Sequence, residues 1–160
     1  MKTLLLGLGN DLRGNDAVGL HVIDHIRSMN IESSHVRIER TLASGIHLLS
    51  YFPGYERIFI VDSVQVADAD IGQFWRVSPE ELKRCRFSTR ITHGIGIHSI
   101  LDIVRKIGFE NPREVVLFLV GIKKMDDYFY ECRDDIDHAL KLMVPRFSEE
   151  IVKSIHATHH

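Results

Sequence analysis

Cysteine is scarce in this chain of 160 residues: Cys85 and Cys132 stand far apart and form no CxxC pair. They read as reduced packing residues of a cytoplasmic protein rather than a disulfide framework. No apolar stretch approaches the roughly 18 residues that a membrane span needs, so no membrane insertion is expected. Charge of one sign is not in excess either. Lys and Arg number 20 against 22 Asp and Glu, a net charge of −2, which excludes a strongly basic nucleic-acid surface. The opening MKTLLLGLGN has a short apolar run but no small-residue cleavage site, and it reads as a first strand rather than a signal peptide. Repeats, low-complexity segments and linkers are absent, so 1–155 is expected to form one domain, with 156–160 a disordered His-rich tail.

What is present is an alternation of strand and helix patterns. Thr3 to Gly7, Arg57 to Val61 and Glu114 to Val120 are unbroken apolar runs of the kind found in strands buried on both faces. His35 to Arg40 alternates like a strand, and Gly72 to Val77 is expected to be another. Val18, Val22, Ile26 and Met29 recur at helical spacing, predicting a helix over 16–29. Ala43 to Phe52 reads as a short helix stopped by Pro53-Gly54. Ser78-Pro79-Glu80-Glu81 is a capping-box signature, and Ile97 to Ile107 marks a helix stopped by Gly108. Ile136 to Ile151 forms an amphipathic helix expected to kink or break at Pro145. The expected fold is α/β: a three-layer α/β/α sandwich with a mostly parallel sheet and one antiparallel strand. Ligands of such folds bind beyond the carboxyl ends of the strands.

At the first such end stands GLGNDLRGNDAVG, residues 7–19. A dinucleotide loop requires G-x-G-x-x-G, and here Gly7 and Gly9 fit but the third position is Leu12. Glu39 could hold a ribose, yet Asp11 and Asp16 would set negative charge beside a pyrophosphate, and no Gly-Lys-Ser/Thr follows. Gly7, Gly9 and Asn10 therefore read as a turn that shapes the site, with Asn10 and Asn15 bonding turn backbone or capping the helix. Asp16 alone is an ordinary first-turn residue, favoured by the helix dipole.

Its partners give it more meaning. Asp62 ends the run RIFIV, and His93 lies in ITHGIGIH just before a helix. Asp16 and Asp62 belong at the same rim of a parallel sheet, and His93 joins them if its loop folds over that rim. Two carboxylates and an imidazole suit nickel, zinc or manganese, and three protein ligands leave positions open for substrate or water. His98 reads as structural or as a support behind a ligand, and Asp126 and Asp127 as loop solvation. The basic residues Lys83, Arg84, Arg86 and Arg90 read as a solvated helix and loop. Ser63 follows Asp62 with nothing to mark it as an activated nucleophile.

GLGNDLRGNDAVG, IVDSV and THGIGIH, in that order, resemble the hydrogenase maturation proteases, endopeptidases that trim the C-terminus of nickel–iron hydrogenase large subunits. The resemblance runs from residue 2 to about 122 and carries Asp16, Asp62 and His93 onto the family's three metal-binding positions. It implies that the metal is nickel supplied by the large-subunit precursor, with no permanent cofactor, and that these three residues also carry the catalysis. It further implies a cytoplasmic enzyme, expected to be a monomer, whose partner is that precursor. Departures are Asn15 in place of an acidic residue, Asp rather than Glu at 16, Ala17 in place of glycine, and KKMDDYFYECRDD after Gly121-Ile122. Two other readings of the residues are a noncatalytic nickel-binding maturation chaperone and a different metal-dependent hydrolase on the same scaffold.

Overall fold

Six strands make one twisted sheet in a computed structural model that describes residues 1–12, 14–84, 88–89, 96–124 and 136–157. The strands are β1 (Thr3–Leu8), β2 (Val36–Thr41), β3 (Arg57–Val66), β4 (Phe74–Val77), β5 (Ser88–Thr89) and β6 (Glu114–Lys123). The helices are α1 (Val18–Ser28), α2 (Pro79–Arg84), α3 (Ile97–Lys106) and α4 (His138–Ala157). The sheet order is β2-β1-β3-β6-β4, with β5 beside β3. β2, β1, β3 and β6 are mutually parallel, and β4 is the expected antiparallel strand, paired with β6. The two-residue β5 adds a second antiparallel pairing, on β3.

Strand alternation divides the apolar side chains between two cores. Leu5, Phe59, Val61 and Phe118 face α1 and α4, meeting Val22, Ile26, Leu140 and Phe147. Leu4, Leu6, Ile58, Ile60 and Leu117 face the other way, meeting Leu48, Phe52, Leu82, Ile100 and Val104. The three layers follow from that division. Arg57, 1 % exposed at the amino end of β3, reaches under the end of α4. Its guanidinium donates to the Ile155 carbonyl and to Glu114 and lies over the Phe59 ring, so it neutralises helix-end carbonyls that would otherwise be buried without donors.

Several boundaries differ from the expectations. The helix expected over 16–29 starts as a 3-10 turn, Gly14–Ala17, before α1 begins at Val18. The segment expected as a helix over 43–52 is a 3-10 run, Gly45–Tyr51. α4 passes through Pro145 without a break. It also includes His156 and Ala157, so the tail expected to begin at 156 is still helix there, while 158–160 lie outside the described residues. The capping box forms as read. The Ser78 amide donates to Glu81 Oε2 at 2.7 Å, and the Glu81 amide donates to Ser78 Oγ at 3.1 Å. Hydrogen bonding from Ser78 to the Glu81 carboxylate, first from its backbone amide and then from its side chain, holds that carboxyl below its usual range.

The chain leaves β1 through α1 to reach β2 on one side, then crosses back over β1 to begin β3 on the other. Strand order reverses at the β1–β3 boundary, which is where an open α/β sheet presents its crevice.

Candidate functional site

Neighbouring strands stop at different heights at this boundary. β1 ends at Leu8, and its last pairing with β3 is Gly7 opposite Val61. β3 continues past it to Val66, held by β6 as far as the pairing of Val66 with Lys123. The sequence reading ended this strand at Asp62, but Asp62 lies inside it, opposite Leu119. The run S-V-Q-V continues the strand because β6 supplies its hydrogen bonds. Asp62 is therefore held by a strand rather than by a loop.

Asp16 enters from the other side of the step. The turn that carries it passes so close to β1 that a Cβ on Gly9 would sit 2.6 Å from the Asp16 carbonyl oxygen. One on Gly19 would sit 2.5 Å from the Leu8 carbonyl and 3.0 Å from that of Val61. A Cβ on Gly7 would collide with the Ile23 side chain. These glycines are read better as contact surfaces than as turn formers: they let α1 start directly on top of β1 and β3. Left-handed backbone is needed at Gly14, with φ 54°. Asn10 acts as expected, with Oδ1 accepting the Leu12 amide at 2.9 Å. Asn15 does not cap α1. Its Nδ2 donates to Asp137 Oδ2 and its Oδ1 accepts the Asp137 amide, both at 2.7 Å, tying the turn to the entrance of α4. An acidic residue at 15 would set two carboxylates face to face there, so the amide suits this chain's Asp137.

The two acidic residues of the opening loop thus do different things. Asp11 faces outward, and both its oxygens accept from Arg40 at 2.7 and 2.8 Å, while Arg40 also donates to Asp24. Glu39, the candidate ribose ligand, accepts from Arg37 at 2.7 Å. Asp16 turns inward and is 2 % exposed, and Asp62 is 0 % exposed. The two meet on one residue: Ser63 Oγ donates to Asp16 Oδ1 at 3.0 Å, and the Ser63 amide donates to Asp62 Oδ1 at 2.8 Å. Keeping carboxylates out of water is costly, and folds keep such groups mainly where chemistry or a cation needs them.

The third candidate, His93, lies outside the described residues, as do Cys85, Arg86, Arg90, Asp126, Asp127 and Cys132. Among the described residues, no cluster of three or more His, Cys, Asp or Glu side chains is placed to hold a metal. The described part of the site is thus the carboxylate pair alone. His98 is structural, its Nε2 lying 2.9 Å from the Pro79 carbonyl and joining α3 to the start of α2. Sequence reasoning passed over Ser63 because a serine in a strand carries no charge or spacing signal. Only the convergence of the turn on β3 reveals it.

With this geometry established, comparison with known proteins is informative. The model of the hydrogenase maturation protease family matches residues 20–153, a span that includes Asp62 and His93 but begins after Asp16. The hydrogenase 2 maturation protease of Escherichia coli (strain K12) is 27 % identical over 123 residues, covering 76 % of this chain and 73 % of that protein. Among solved structures, the hydrogenase maturating endopeptidase HybD from E. coli superposes with a TM-score of 0.71 at 21 % identity, covering 99 % of this chain and 94 % of the other. The nickel–iron hydrogenase maturation protease HybD from Thermococcus kodakarensis gives 0.67 at 19 % identity, covering 96 % and 99 %. At those identities the superpositions speak for the fold alone.

Proposed function

The chain belongs to the hydrogenase maturation protease family, and from that premise we propose that it is the endopeptidase that removes the C-terminal extension of a nickel-loaded large-subunit precursor. The observation that carries this reading is the pair of buried carboxylates, Asp16 and Asp62, gathered on Ser63 at the step where β1 stops and β3 continues. Nickel arrives as part of the substrate. Asp16 and Asp62 offer it oxygen donors and His93 a nitrogen donor, a mixed set that suits a divalent transition ion. Three protein ligands leave coordination positions for the precursor's own groups. The scissile carbonyl or a water placed beside the ion is then polarised by it.

Substrate and checkpoint are the same device in this scheme. A precursor lacking nickel offers the carboxylates nothing to bind, so it is not positioned for cleavage. The reaction belongs in the cytoplasm, where the precursor acquires its metal. Among the described residues no helix is long and apolar enough to cross a membrane.

The test is to incubate the purified protein with nickel-loaded and with nickel-free precursor and follow the length of the large subunit. Shortening of the loaded form alone is expected. Equal shortening of both forms would remove nickel from the recognition step. Stable capture of loaded precursor without any shortening would make the protein a nickel-binding chaperone instead.

A further inference from the structure

We propose that Ser63 is a positioning residue for the metal-facing carboxylates, its hydroxyl setting the orientation of Asp16 and its amide that of Asp62. The proposal rests on the reading of Asp16 and Asp62 as ligands of the precursor's metal. It assigns a role to a residue that the chemistry itself does not touch.

Side chains alternate between the two faces of the sheet along β3. Ser63 shares a face with Phe59 and Val61, which pack under α1 and α4, so its side chain projects toward the start of α1. Asp62 shares the opposite face with Ile60 and Val64. Consecutive strand residues cannot both project to one side, so the two carboxylates approach the rim from different faces of the sheet. Ser63 joins them, donating to Asp16 Oδ1 through its hydroxyl and to Asp62 Oδ1 through its amide.

A carboxylate turns easily about its last bond, since that torsion is broad and roughly two-fold. A donor fixed on one oxygen ends that freedom and decides which oxygen is presented elsewhere. Asp16 has one methylene less reach than Glu, so it depends on correct aim. Its backbone is already anchored through the reciprocal bonds of Asn15 with Asp137, and Ser63 constrains the side chain. The residue is also 4 % exposed, next in line on its face to the buried apolar side chains of Phe59 and Val61. A buried hydroxyl there is explained by the carboxylate it serves.

Ser63→Ala deletes only the hydroxyl and keeps the amide, so it should alter Asp16 and spare Asp62. The experiment measures capture and cleavage of nickel-loaded precursor by the full chain, with a thermal melt of each variant. Ser63→Ala should lower kcat/KM by about 10–100-fold, the usual effect of losing a group that orients a metal ligand, with little change in the melt. Ser63→Thr, which restores a hydroxyl, should recover most of the loss. In an Asp16→Asn background, where capture remains measurable even if cleavage does not, Ser63→Ala should cause no further loss. Full activity of Ser63→Ala would overturn the proposal. So would equal losses in both backgrounds, or failure of Ser63→Thr to rescue while its melt is unchanged. If Asp16→Asn itself cleaves normally, the ligand reading of Asp16 fails first and the role of Ser63 falls with it.

Discussion

On the proposed reading, Asp62 is a residue that serves function at the expense of stability. It is fully buried in the middle of a strand whose neighbours on the same face, Ile60 and Val64, are core residues. Removing a carboxylate from water costs several kcal/mol before any compensation, part of which the Ser63 amide returns at 2.8 Å. Asp62→Asn keeps the shape and the oxygen that accepts the Ser63 amide while removing the charge. We expect its melting temperature to hold or rise while cleavage of nickel-loaded precursor falls by about 100-fold or more, in line with the trade-off between stability and activity. Unimpaired cleavage by this variant would dismiss Asp62 as a ligand. Residues of this kind are legible in a sequence because a charged group in or beside an apolar run needs explaining. Asp62 stands out on that ground, and Asp16 only together with it, as residues expected at one rim of the sheet and carried by the family's motifs. Ser63 does not, because serine is common everywhere and its importance arises only from where the turn of Asp16 lands.

The placement of that turn is a property of elements, and it depends on how closely α1 can approach the sheet. Gly19 is the decisive position. An exposed Gly→Ala change within a helix normally stabilises by up to about 1 kcal/mol. Here the added methyl would meet the carbonyl oxygens of Leu8 and Val61, backbone atoms of β1 and β3 that cannot rotate aside. Overpacking of that sort costs about 1–3 kcal/mol or more, so the clash wins. Gly19→Ala should therefore lower the urea midpoint and, by lifting α1 with the turn before it, reduce cleavage as well. A variant more stable than the parent would show that the approach is not as tight as described. The alternating strands and helices were readable from periodicity because buried strands and amphipathic helices must carry it. Strand ends were not: β3 runs on to Val66 because β6 pairs with it, and pairing is a tertiary fact. Nor could Gly7, Gly9 and Gly19 be distinguished from turn formers, since close contact and positive φ call for the same residue.

At the scale of the whole molecule, the question is whether any metal holds the fold together. The two cores lie on opposite faces of the sheet and are built from aliphatic and aromatic side chains: Ile23, Phe59, Phe118 and Phe147 on one side, Phe52, Ile58, Ile100 and Leu117 on the other. The carboxylate pair lies where β1 stops and β3 runs on, beside these clusters, and is held by protein hydrogen bonds. Cores of this kind are expected to hold the fold without an ion, in contrast to small zinc domains whose metal-binding energy is their folding energy. Treating the purified protein with a strong chelator should leave its melting temperature within about 1 °C of the untreated sample, where loss of a resident structural ion would move it much further. The functional consequence can be checked in the same preparation. Chelator-treated protein, freed of chelator and mixed with nickel-loaded precursor, should cleave at the full rate, as the proposal that the metal enters with the substrate requires. A fall in melting temperature on chelation, or activity that returns only when metal is added back to the enzyme, would establish a resident ion. Nickel could then no longer be treated as cargo that this enzyme inspects.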